Sequence, residues 1–283
     1  MSDGDHFLDV GDARLRYRAV GAGPTVVLVH GWALDLDMWR PQFAALADSY
    51  RLIAFDRRGF GLSSGTPDLQ CDVDDLVALL AALDTECISI AGMSQGARVA
   101  LSWAWQFPDR TRCMVLDGPP RVGTSTLLIG GDEIPIAAWR ELIAREGLDA
   151  FRKHWLQHDF MRLHSGLPQS QALLGEMIAR YPGHDLRSTE DLRAPAIDAT
   201  GIDVPALVIS GEHDTAARRA AAAELARSLP HAHHRVIANA GHLCNLDNPQ
   251  AYNSLLREFL RLRAHDAGHC ASPSSEYTTC STG

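Results

Sequence analysis

A serine flanked by glycines, a histidine and an aspartate are the residues of this chain whose types and spacing suit acyl transfer. Gly92-Met93-Ser94-Gln95-Gly96 fits the G-x-S-x-G pattern, but so does Gly61-Leu62-Ser63-Ser64-Gly65, so the pattern alone does not choose between them. Context does. Ser94 follows the apolar run Cys87 to Gly92 and precedes an Ala-rich helical stretch, the strand-turn-helix setting of a nucleophile elbow. Glycines two residues either side are needed because side chains there would collide across the tight turn. Ser63 leads into Thr66-Pro67 and reads as a loop serine.

A serine hydroxyl becomes a nucleophile only beside a base, and an imidazole has a suitable pKa. Of the 13 histidines, His242 stands out: Asn239-Ala240-Gly241-His242 lies between the last predicted strand and the final helix. A carboxylate must then hold the imidazole in the right tautomer. Asp214 and Asp117 both follow strands, and Asp214 is favoured because the order Ser94, Asp214, His242 is the triad order of α/β sheets bearing a nucleophile elbow. Asp117 is then a turn residue before Gly118-Pro119. For the oxyanion, the backbone N–H of Gln95 supplies one donor and that of Trp32, in His30-Gly31-Trp32, a second. His30, beside a glycine at a strand end, is read as structural.

These groups must be brought together by elements far apart in the chain. Phe7 to Val10 and Ala13 to Val20 alternate around Gly11-Asp12 and predict a hairpin. Thr25 to His30 is a continuous β-branched run, as in a strand covered on both faces. Strand and helix patterns then alternate. Arg51 to Asp56 is a strand, the stripe Val73, Leu76, Val77, Leu80 and Leu83 a helix, Cys87 to Gly92 a strand, Gln95 to Phe107 a helix, and Thr111 to Asp117 a strand. After helical patterns from Pro119 to about Asp203, Val204 to Ser210, Ala216 to Leu229 and Arg235 to Ala238 resume the alternation. A last helix is capped by Asn248 with Pro249 at its first position. Such alternation implies a mainly parallel sheet. Loops at the carboxyl ends of its strands gather at one edge, where Ser94 and His242 both fall.

The expected organisation is an α/β core over 1–118 and 204–264, a helical cap inserted over 119–203, and a disordered tail over 265–283, where Ser, Thr, Gly and Pro dominate. With 46% hydrophobic and 22% charged residues, the 283-residue chain is ordinary for a globular protein. A net charge of −9 without a Lys/Arg run argues against nucleic acid as a partner. The polar N-terminus lacks a secretory pattern, and no apolar stretch is long enough to span a bilayer, so a cytoplasmic chain without membrane association is expected. Six cysteines without Cys-x-x-Cys spacing do not suggest a disulfide framework, and Cys87, Cys113 and Cys244 are read as small buried thiols. His231-Ala232-His233-His234 has metal-like spacing but sits in a polar turn, so neither metal nor cofactor is expected. Asp56-Arg57-Arg58 reads as an ion-pair turn, Trp103 and Trp105 as core. Trp139, Phe151, Trp155, Phe160 and Met161 are expected to line a pocket or pack the cap.

Val29-His30-Gly31-Trp32, Phe55-Asp56-Arg57-Arg58-Gly59-Phe60-Gly61, Gly92-Met93-Ser94-Gln95-Gly96, Gly211-Glu212-His213-Asp214 and Ala240-Gly241-His242 occur in the order seen in α/β-hydrolases, which the chain resembles from about Leu15 to Leu262. It is similar to small esterases and enol-lactonases and, from His30 to Ser64, to the cofactor-free haloperoxidase or perhydrolase group. That group usually carries Met where this chain has Gln95. The resemblance implies a sheet of about eight strands under a helical lid, with Ser94, His242 and Asp214 as triad. Epoxide hydrolases and haloalkane dehalogenases resemble the chain too, but carry Asp at the nucleophile position. The expected activity is hydrolysis of a carboxylic ester or lactone with an apolar portion, through an acyl-enzyme. Alternatives on the same triad are perhydrolysis, haloperoxidase-type chemistry or carbon–carbon bond cleavage; a third is a ligand receptor with residual hydrolysis.

Overall fold

The structure is a computed structural model that describes residues 4–122, 134–188 and 197–263. The expected tail, 265–283, and parts of the expected cap lie outside them. Eight strands form one sheet: β1 (His6–Val10), β2 (Ala13–Val20), β3 (Thr25–Val29), β4 (Arg51–Phe55), β5 (Ile88–Met93), β6 (Thr111–Asp117), β7 (Ala206–Gly211) and β8 (Ala232–Ile237). Their order across the sheet is β1-β2-β4-β3-β5-β6-β7-β8. The β1/β2 hairpin pairs antiparallel, with Val10 opposite Ala13 and Gly11 at φ +56°, and β2 pairs antiparallel with β4. From β4 onward every pairing is parallel.

Successive side chains on a strand point to opposite faces, and both faces here are covered. Val26, Leu28, Ala91 and Val115 join one apolar cluster, and their neighbours Val27, Val29, Ile90 and Leu116 join the other. This is why β3 carries no alternation and is wholly buried. The first face packs against α1 (Arg40–Leu46), α9 (Cys244–Asp247) and α10 (Pro249–Arg263). The second packs against α2 (Cys71–Ala82), α3 (Gln95–Gln106) and α8 (Ala216–Ser228). Asn248 caps α10, its Oδ1 accepting the Ala251 N–H at 3.2 Å.

Between β6 and β7 the chain forms α4 (Ile136–Glu146), α5 (Leu148–Trp155), α6 (Pro168–Arg180) and α7 (His184–Arg187). Phe151, Trp155, Phe160, Leu174 and Tyr181 from this stretch share a cluster with Trp32, Leu34 and Met93, so its apolar side seats on the carboxyl ends of the strands. Arg180 adds an ionic tie, with Nη2 2.8 Å from both Asp35 and Asp37.

Three readings need correction. Trp105 is 49% exposed while Trp103 is buried; two residues subtend about 200° on a helix, so both cannot face the core. Cys113 and Cys244 are free buried thiols, but Cys87 is only half-buried and is not among the free thiols. Strand β8 begins at Ala232 and takes in His233 and His234, because an edge strand half in solvent needs no apolar run to mark it. His231 instead pairs with Asp203 and His234 with Ser210, and no group of side chains among the described residues could hold a metal ion.

Candidate active site

The turn from β5 into α3 puts Ser94 at φ +52°, a left-handed conformation that costs a non-glycine residue about 1 kcal/mol or more. Its surroundings impose that conformation. The Ser94 N–H donates to the Asp117 carbonyl at 2.7 Å, and the glycines permit a close crossing. A Cβ on Gly92 would lie 2.0 Å from the Gly96 carbonyl oxygen, and one on Gly96 2.3 Å from that of Val29. The competing serine is fully engaged elsewhere: Ser63 Oγ donates to the Asp56 carbonyl at 2.7 Å and accepts the Arg16 N–H at 2.8 Å.

His242 arrives on the loop after β8. Its Nδ1 lies 2.9 Å from Asp214 Oδ2, with both side chains buried, and Asp214 Oδ1 accepts the Thr215 N–H at 2.7 Å, which fixes the plane of the carboxylate. Ser94 and His242 line one small cavity with Trp32, Leu34, Met93, Ile134, Trp155, Phe160 and Met161. The Phe160 ring packs on the imidazole with centroids 4.4 Å apart. Asp117 is fully buried and does not bond the imidazole, whose Nδ1 is taken by Asp214. Burial pushes its pKa well up, the nearby Asp214 adds to the rise, and Cys244 opposes it only in part. A carboxyl whose charged form is disfavoured by burial is the poorer partner for an imidazolium.

The loop after β3 is held by His30, which is fully buried. Burial first, then the positive charges of Arg57 and Arg16, depress its pKa to about 3, against an opposing hydrogen bond to Gly31. The ring is therefore neutral. Nδ1 donates to the Gly31 carbonyl at 2.7 Å and Nε2 accepts the Arg57 N–H at 2.9 Å. Arg57 in turn pairs with Asp72 at 2.7 Å and donates to Gln95 Oε1 at 2.6 Å, while Arg58 pairs with Asp75 at 2.7 Å. The ion-pair reading of Asp56-Arg57-Arg58 thus holds, and these pairs tie the Trp32 loop to the start of α3. Neither the Trp32 nor the Gln95 N–H is given to an acceptor among the described residues.

Two buried acids escaped sequence reasoning. The Asp247 carboxylate accepts the Gly241, His164 and Ser165 N–H groups, each at 2.7 Å, and so fastens the His242 loop to the stretch before α6. Asp185 on α7 accepts from the Trp32 indole. Each stands in a locally polar stretch that reads as solvent-facing, and nothing nearby in sequence marks it.

The sheet, its crossovers and the cavity at the strand ends define an α/β hydrolase. Residues 24–249 match the model of the alpha/beta hydrolase fold family, and the chain belongs to that family. A pimeloyl-(acyl-carrier protein) methyl ester esterase of Nitrosospira multiformis is 27% identical over 271 residues, 89% of this chain and 100% of that protein. Among solved structures, a thermophilic esterase from Thermogutta terrifontis superposes with a TM-score of 0.78 at 26% identity, covering 92% of this chain and 99% of that one. The enol-lactonase from Burkholderia xenovorans LB400 superposes with a TM-score of 0.74 at 26% identity, covering 90% of this chain and 100% of that one. No helix among the described residues is long and apolar enough to cross a membrane.

Proposed function

We propose that the protein cleaves a carboxylic ester or lactone by nucleophilic catalysis at Ser94. The supporting observation is the convergence of Ser94 and His242 on one apolar cavity, with the far side of the imidazole on Asp214. His242 Nε2 takes the Ser94 proton as Oγ attacks the carbonyl carbon. The Trp32 and Gln95 amides stabilise the oxyanion, and Asp214 stabilises the imidazolium. Collapse expels the alkoxide, which receives the same proton from His242; in a lactone it stays tethered to the acyl group. Water, deprotonated by His242, then releases the acid and restores Ser94. The close apolar lining of Trp32, Leu34, Met93, Trp155, Phe160 and Met161 around Ser94 and His242 suits a short apolar acyl group.

A fluorophosphonate should label Ser94, and Ser94→Ala should lower turnover of p-nitrophenyl acetate by something on the order of a million-fold. Near-parental turnover by Ser94→Ala, or labelling of a different residue, sinks the assignment.

A further inference from the structure

We propose that Asp185, on helix α7, is a positioning residue for the oxyanion-stabilising loop and acts through the side chain of Trp32. The proposal rests on the reading of the Trp32 N–H as an oxyanion donor. Trp32 belongs to two parts of the molecule at once. Its backbone ends the turn out of β3, while its indole is inserted among residues of the stretch between β6 and β7. There it packs edge-on against Trp155, Phe151 and Tyr181, at centroid distances of 4.8, 5.8 and 6.0 Å. Ring packing leaves an indole free to slide, but a directional hydrogen bond does not. That bond comes from Nε1 to Asp185 Oδ2, and the other carboxyl oxygen takes the Tyr181 hydroxyl. Asp185 is only 4% exposed, so water does not compete for either oxygen.

The loop needs such a clamp because it is strained. Ala33, immediately after Trp32, has φ +58°, and a non-glycine residue stays in that region only where its surroundings over-determine it. Two anchors do so. From the core, His30 Nδ1 holds the Gly31 carbonyl, which is the opposite end of the planar peptide unit that carries the Trp32 N–H. That bond sets the tilt of the unit but leaves rotation about the carbonyl. From the other side, Asp185 holds the indole and through it the Cα at the N–H end. With both in place the N–H has one direction. Without Asp185, the indole N–H is left unpaired inside an apolar cluster and the ring turns to find an acceptor, taking the amide with it. A displacement of about 1 Å at a reacting centre costs roughly a hundred-fold in rate, the same order as loss of one oxyanion donor.

The test compares Asp185→Asn, Asp185→Leu, Trp32→Phe and the double variant Trp32→Phe/Asp185→Leu, measuring kcat and KM on p-nitrophenyl acetate and inhibition by a short-chain alkyl boronic acid. Asp185→Asn keeps an acceptor for the indole and should stay within about three-fold of the parent. Asp185→Leu and Trp32→Phe should each lose about 10- to 100-fold in kcat with KM within about three-fold, and boronate affinity should fall in parallel. The double variant should be no worse than the poorer single, since each removes the same bond. The proposal is overturned if the two losses multiply, if only KM moves, or if Asp185→Asn loses as much as Asp185→Leu. Should Asp185→Leu fail to fold, an unchanged kcat in Trp32→Phe is enough to overturn it. The hydrolase reading fails separately, through an active Ser94→Ala or a fluorophosphonate that does not label Ser94.

Discussion

Acidification should destabilise the core through His30. In the folded chain this ring titrates near pH 3, against 6.5 when free in solution. Below pH 6.5 the unfolded chain therefore binds a proton that the folded chain refuses. Stability is fully present above that value and is lost as the pH falls toward 3. At 1.36 kcal/mol per pKa unit the whole shift amounts to about 5 kcal/mol, of which about 2 kcal/mol is lost by pH 5. Other groups titrate over the same range, with Asp56, raised to about 7 chiefly by burial and by Asp35, acting in the opposite direction. The measurement must therefore be differential. His30→Asn keeps a donor for the Gly31 carbonyl but does not titrate, and it leaves the Arg57 N–H unpaired at a cost of about 1–3 kcal/mol at every pH. Urea unfolding of both proteins at pH 8 and pH 5 should show the parent losing about 2 kcal/mol more than the variant. Parallel losses, within about 0.5 kcal/mol, would refute the claim that the ring is held neutral.

Asp214→Asn should lower kcat about ten-thousand-fold by favouring the wrong imidazole tautomer, whereas Asp117→Asn, which replaces a carboxyl that does not bond the imidazole by its isostere, should stay within about three-fold. The order of the two losses in steady-state assays decides which acid serves His242. Because the folded pKa of Asp117 lies above its unfolded value, the parent loses stability as the pH rises past about 4; Asp117→Asn should gain on it over that range in denaturant titrations. Gly92→Ala should destabilise by about 3 kcal/mol or more, because its Cβ meets backbone rather than a movable side chain. An unchanged melting temperature with intact fluorophosphonate labelling would show that the turn can widen.

What was legible in the sequence is what short-range physics dictates. The elbow at Ser94 needs glycine on both sides of a strand-to-helix turn, and that demand is written within five residues. Ser94, Asp214 and His242 each follow a strand, and in alternating strands and helices whose crossovers have one hand such loops share one sheet edge, so that edge is readable in the sequence. The burial of β3 on both faces was visible in its unbroken β-branched run. Errors came where burial leaves no local mark: at β8, an edge strand with a polar sequence, and at Trp105, on the outer side of a helix whose inner side holds Trp103.

The clamps around the site belong to the tertiary structure alone. Asp185 meets Trp32 across 153 residues, Arg180 meets Asp35 across 145, and Asp247 meets His164 across 83. Each is an unremarkable polar residue until the fold removes its water. The buried carboxylates of Asp35, Asp185 and Asp247 must find partners or cost stability, and which partners are within reach depends on how the helices between β6 and β7 seat on the sheet. The sequence by itself determined which residues have the chemistry for acyl transfer and on which edge they stand. Only the packing decided that Asp214 rather than Asp117 meets the imidazole and how small a cavity surrounds Ser94, because hydrogen-bond geometry and desolvation act through space and not along the chain.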